Sequence, residues 1–250
     1  MLWHFLEEEE ICLIKQINLR KTQDVDIQQL KASRVGRISD PYIIKHMIVK
    51  TLKTTATLLS FLIMTSCRES AGDFTKAELS LIKGADSIMR VLTIDNPADS
   101  FVLRDVSTDL SAEALLSEDF AKLSGLMIAT VTHPSQDGVG IAGPQVGLNR
   151  RVVAVQRFDK EGEPFEVYPN VSIVWTSDSL AYGPEGCLSV PGRREEVLRS
   201  QEIVIEYADP GLSDDIEKVP MVRDTIKGFT AVIFQHEIDH LDGVLYIDRL

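Results

Sequence analysis

The sequence is poor in aromatic residues, basic residues, cysteine and long apolar runs, and each scarcity removes a class of function. Phe, Trp and Tyr together make 6% of the 250 residues, too few for the stacking platforms that hold single-stranded nucleic acid. Lys and Arg number 26 against 38 Asp and Glu, a net charge of −12, and phosphate contacts need clustered basic residues. No nucleic-acid partner is expected. Three cysteines, Cys12, Cys67 and Cys187, are too few for a disulfide framework in a chain this long, so each needs its own explanation. The apolar run Ala56–Met64 is well short of the roughly 20 residues of a spanning helix. Internal repeats and low-complexity tracts are missing too. What is present, 44% hydrophobic and 26% charged residues, suits a soluble globular protein with one sizeable core.

The chain changes character three times. Residues 1–46 carry the acidic run Glu7–Glu10 and no sustained apolar period; they read as a low-order or solvated helical extension, or as sequence upstream of a true start at Met47. Residues 47–67 combine Lys50 and Lys53, the Ala56–Met64 run and Thr65-Ser66-Cys67. That order of basic, apolar and small residues is the pattern of a secretory signal. With cysteine after Thr-Ser it resembles a bacterial lipoprotein signal, although Met64 stands where that pattern prefers Leu, Val or Ile. The resemblance implies acylation of Cys67 and a membrane tether outside the cytoplasm. A buried helix or an uncleaved anchor is the alternative, and without the signal the protein is cytoplasmic. Residues 68–87 read as a polar tether leading into a short helix, and residues 88–250 as the catalytic domain.

Within that domain, Leu116, Phe120, Leu123, Met127 and Val131 recur every three or four residues, predicting a helix over 111–132. Residues 151–158, 166–175 and 202–207 have the β-branched character of strands, and 246–249 reads as a last strand. Asp209-Pro210-Gly211 marks a turn. A second long helix is expected over 228–241, stopped by Gly243. Strands grouped between two helices predict an α+β fold.

The sharpest chemical signal is His236-Glu237-Ile238-Asp239-His240. On a helix, positions four apart share a face, so both imidazoles can bind one ion, with Glu237 beside them to act on a water. Two histidines at this spacing also occur on plain helix surfaces. A catalytic site of this type needs a third protein ligand. Downstream of His240 only Asp242 and Asp248 are conceivable, and Asp242 faces away from the pair. Upstream, Cys187 lies in Pro184-Glu185-Gly186-Cys187-Leu188-Ser189-Val190-Pro191-Gly192, loop-like sequence from which a thiolate can project; an isolated cysteine is otherwise a small buried hydrophobe. Four glycines in Gly138–Gly147 indicate unusual backbone angles or close approach, without the spacing of a dinucleotide fingerprint.

Together the segments GVGIAGPQ, EGCLS and QHEIDH resemble, in the same order, the three motifs of the peptide deformylase family. Gly143 stands where that family usually has Ala. The resemblance covers about residues 88–250 and implies a central metal-binding helix packed among antiparallel sheets. It implies Cys187, His236 and His240 as ligands of one divalent ion, commonly Fe2+, with Zn2+, Ni2+ or Co2+ able to take its place. Glu237 then resembles the general base. The Gln145 side chain and the Leu188 N–H resemble the donors to a developing oxyanion. The implied substrate is an N-formylated peptide or nascent chain, with formate released. Gly138 and Gly140 would let its backbone lie close along Val139 and Gly140, Val232 and Ile233 would line a methionine pocket or simply pack in the core, and Arg194 would stand near the bound peptide. Glu185 matches a carboxylate that braces the cysteine loop. Two other readings stay open: a metallopeptidase of the H-E-x-x-H type, and an inactive binding lipoprotein on the same fold.

Overall fold

In the computed structural model, which describes residues 73–213 and 218–250, the first helix starts at a reciprocal cap. Thr75 Oγ1 accepts from the Glu78 N–H and Glu78 Oε2 accepts from the Thr75 N–H at 2.7 Å, satisfying two end donors at once. This helix, α1 (Lys76–Gly84), buries Ile82, and Phe74 ahead of it is also in the core. The short helix expected to end the 68–87 tether is α1, and its two apolar anchors pack residues 74–84 into the body instead of leaving them a free tether. All described residues belong to one unit, Glu69–Leu250. The expectations for residues 1–46 and 47–67, including Cys12 and Cys67, lie outside the described residues.

Asn96 caps α2 (Pro97–Leu103), with proline at its start. The helix predicted over 111–132 is broken into α3 (Ala112–Leu115) and α4 (Glu118–Val131). The reason is local: Ser117 Oγ accepts from the Phe120 N–H at 3.1 Å and opens a new helix there, as a cap residue does. Phe120, Leu123, Met127 and Val131 form the buried face of α4, while Leu116 is left 38% exposed.

The sheets are antiparallel. β1 (Gly140–Ala142), β2 (Val152–Gln156) and β3 (Phe165–Pro169) form one in that order. β4 (Ser172–Thr176) pairs with β7 (Glu202–Ala208), which pairs with β8 (Met221–Lys227). β5 (Leu180–Cys187) and β6 (Val190–Ser200) make a long two-stranded hairpin. The single strand expected over 166–175 is thus two strands in different sheets. Asn170, at φ 52°, turns the chain between them, a conformation asparagine tolerates better than most residues. Successive side chains of β2 serve different cores: Val152 and Ala154 pack toward α4, Val153 and Val155 toward the last helix, as strand alternation requires.

That helix, α5 (Gly228–Leu241), spans the predicted range and has eleven of its fourteen residues buried. It is the central element of an α+β domain. Gly243 follows at φ 71°, and a Cβ there would lie 2.5 Å from the Arg104 carbonyl oxygen. Residues Tyr246–Arg249 form a 3₁₀ turn, not the expected strand: Asp248 accepts from the Leu245 N–H at 2.8 Å and closes the turn on itself.

Candidate active site and metal centre

The buried helix α5 presents His236 and His240 one turn apart, with ring centroids 5.2 Å from each other. The β5–β6 hairpin brings up the third group. Cys187 ends β5 next to the register shift at Gly186, and only Leu188 and Ser189 separate it from β6. Its Sγ lies 3.2 Å from His240 Nε2. One ligand atom from each of Cys187, His236 and His240 falls within 4.8 Å of the others. Among the described residues these are the cysteine and histidines that could grip one ion.

The surroundings fit a cation. His236 Nδ1 donates to Glu185 Oε2 at 2.8 Å, which leaves Nε2 for the metal side, as a carboxylate partner does for a ligand histidine. Glu185 is gripped by Arg199, whose Nε and Nη2 donate at 2.7 and 3.0 Å. Burial favours the neutral acid, but the bonds from His236 and Arg199 outweigh it and bring the carboxyl down to about 2. Burial likewise works against a proton on His236, yet its contacts with Cys187 and Glu185 hold that proton up to about 10. One thiolate and two imidazoles suit first-row transition metals.

Glu237 is 4% exposed, its Oε2 has no hydrogen-bond partner among the described residues, and burial pushes its carboxyl up to about 7. Room for it comes from Gly140: a Cβ there would lie 2.5 Å from Glu237 Oε1. Gln145 sits in the 3₁₀ turn Gly143–Val146 after β1. Its Oε1 accepts from the Ala142 N–H at 2.8 Å, so its Nε2 is turned toward Ser189 Oγ, at 3.2 Å, and Cys187 Sγ, at 3.6 Å. Gly143 is demanded by this turn, since a Cβ would lie 2.6 and 2.7 Å from the carbonyl oxygens of Arg150 and Leu148. The departure from the family's usual alanine matches the close approach of that neighbouring segment.

Cys187, His236, Glu237, Gln145 and Glu185 line a cleft of about 450 Å³. Val139 and Gly140 form one wall, at the edge of the β1–β2–β3 sheet, and Gly186 to Leu188 form the other. Val232 and Ile233 line it from α5, and Ile233 also packs in the core. Arg194 is at the cleft opposite Gly186 in the hairpin register. The expected site residues therefore line this cleft, except His240, which meets Cys187 instead. Sequence reasoning missed Arg199, Asp239, Tyr246 and Arg249 around the ligands, and Asp137, Arg193 and Phe229 along the cleft. Only Asp239 carried a signal, as part of the His-Glu-Ile-Asp-His segment.

An α+β domain whose buried helix presents two histidines and a carboxylate beside a hairpin cysteine has the donor set of a metal-dependent hydrolase. Comparison with known proteins narrows the class. The family model described as polypeptide deformylase matches residues 88–250. A peptide deformylase of Leptospira biflexa serovar Patoc (strain Patoc 1 / Ames) is 36% identical over 172 residues, covering 66% of this chain and 88% of the relative. The Met-Ala-Ser-bound class I type b peptide deformylase from Acinetobacter baumannii aligns with TM-score 0.56 and 31% identity over 65% of this chain and 98% of that one. The Thermotoga maritima peptide deformylase aligns with TM-score 0.55 and 31% identity over 66% and 99%. The chain belongs to the polypeptide deformylase family.

Proposed function

We propose that this protein hydrolyses the N-terminal formyl amide of formyl-methionyl peptides and nascent chains, using a ferrous ion held by Cys187, His236 and His240. The observation that carries the reading is the clustering of Cys187, His236 and His240 beside a cleft that Glu237 and Gln145 also line. An ion held by Cys187, His236 and His240 would act there as a Lewis acid, lowering the pKa of a water and polarising the formyl oxygen. Glu237, poised near neutrality by burial, takes a proton from the attacking water and delivers it to the departing nitrogen. The Gln145 amide, oriented by the Ala142 N–H, and the Leu188 N–H donate to the oxygen on which charge develops. The C–N bond breaks; formate and a free N-terminal amine leave.

A peptide main chain fits as an added strand against Val139 and Gly140, with its first side chain toward Val232 and Ile233 and its continuation past Arg194. The Acinetobacter baumannii relative holds a peptide, Met-Ala-Ser. The test is formate release from formyl-Met peptides beside cleavage of unformylated peptides, before and after metal removal verified by elemental analysis. Formate release that survives metal loss, or cleavage of internal bonds instead, sinks the reading and favours a metallopeptidase.

For location, we propose that residues 47–67 are a lipoprotein signal and that Cys67 is acylated, a reading that rests on Lys50, Lys53, the Ala56–Met64 run and Thr65-Ser66. Fractionation with fatty-acid labelling of wild type and Cys67→Ala tests it; a soluble, unlabelled wild type overturns it.

A further inference from the structure

We propose that Tyr246 is a positioning residue that ties the ring of the metal ligand His236 to the substrate-side rim of the cleft. The inference rests on the deformylase reading above. Tyr246 opens the last 3₁₀ turn and is 1% exposed. Its ring stacks on His236, with centroids 5.8 Å apart and planes 24° apart. Its hydroxyl donates to the Arg193 carbonyl oxygen at 3.0 Å. Arg193 and Arg194 line the cleft, and the Arg193 carbonyl lies beside Gly186, 3.7 Å from where a Cβ there would stand. One side chain therefore touches a ligand imidazole with its face and the cleft backbone with its tip.

The turn that carries Tyr246 is itself fastened to the ligand helix. Asp239, between the two ligand histidines in α5, accepts from Arg249 Nε at 2.8 Å and Nη2 at 2.5 Å, and from Arg199 Nη1 at 2.6 Å. Arg199 in turn holds Glu185, the partner of His236 Nδ1. His236 is thus fixed in its plane by Glu185 at one edge and by the Tyr246 face. The hydroxyl acts separately from the ring, setting the height of the Arg193–Arg194 segment against which a peptide must lie.

Two variants distinguish the ring from the hydroxyl. Tyr246→Phe keeps the stack and loses the tie. It should raise KM for a formyl tripeptide by about tenfold, the scale of one buried hydrogen bond, while leaving kcat and the rate of metal release to a chelator unchanged. Tyr246→Leu removes the stack as well. It should speed metal release by roughly 10–100-fold, as loss of an outer partner of a metal ligand does, and shift the visible absorption of the cobalt-substituted protein. A purely structural tyrosine would lower thermal stability in both variants and leave KM, metal release and the cobalt spectrum alone. That outcome overturns the proposal, as does a Tyr246→Phe effect confined to kcat. Should Tyr246→Leu fail to fold, the KM of Tyr246→Phe still decides it, an unchanged KM overturning the tie to Arg193. An inactive wild type would count against the deformylase reading, whereas metal release and the cobalt spectrum bear on Tyr246 without any turnover.

Discussion

Replacing Gly140 with alanine should remove activity while sparing the fold. An ideal Cβ at this position lies 2.5 Å from Glu237 Oε1, 2.8 Å from its Cγ and 2.9 Å from its Cδ. Carbon pairs rest at about 3.5–4.0 Å, so the Glu237 side chain must retreat by roughly 0.7 Å or more. The atoms struck belong to the end of a side chain whose Oε2 has no partner among the described residues, so the retreat disturbs no hydrogen bond of that oxygen. Proton transfer is less forgiving: a misplacement of about 1 Å costs on the order of 10²-fold, or roughly 2.7 kcal/mol of barrier. Formate release from a formyl-Met peptide should show kcat down by about that factor, with metal content and melting temperature near wild type. A kcat within about threefold of wild type in the fully loaded variant would refute the steric reasoning. So would a loss of rate that tracks loss of metal.

Other outcomes follow from the same geometry. Glu237→Gln should hold its metal and lose most turnover, because the ligands stay while the proton carrier goes; a near-native rate would reassign the base. Gln145→Ala should lower kcat by about 10²–10³-fold, the range for one oxyanion donor, and an effect on KM alone would count against that role. Cys187→Ser should release metal faster under chelation and change metal preference, hydroxyl being a harder and weaker ligand; unchanged retention would make Cys187 structural. At Glu78, burial raises the pKa, but hydrogen bonds from Arg150 and Thr75 prevail and lower it below its ordinary 4.5. Its stabilisation is present above that ordinary value and lost as pH falls through the lowered one. The melting-temperature gap between wild type and Glu78→Gln should therefore close in acid, and a gap independent of pH would contradict the ion pair.

Local spacing was enough to place some of this protein. His236, Glu237 and His240 could be put on one helix because a four-residue repeat is a property of the helix itself, and α5 covers the range that its apolar run and Gly243 marked. The buried face of α4 was legible for the same reason, although the new cap at Ser117 cut the predicted helix in two. The three motifs also pointed to Cys187 as the third ligand through family resemblance. Distance along the chain set the limit on the rest. Cys187 meets His240 across 53 residues, and spacing alone left that cysteine as readily a buried hydrophobe. The void at Gly140 that admits Glu237, the Glu185–Arg199–Asp239–Arg249 chain behind His236, and the stack of Tyr246 on that ligand involve residues from different elements. Each residue there carries an ordinary local signal, and residues 246–249 even read as a strand. Periodicity, caps and turn residues report contacts within a few positions, where the backbone alone dictates who meets whom. Which β-hairpin packs on which helix, and therefore which glycine, arginine or tyrosine stands beside Glu237 and the two histidines, is decided only when the sheets close around α5.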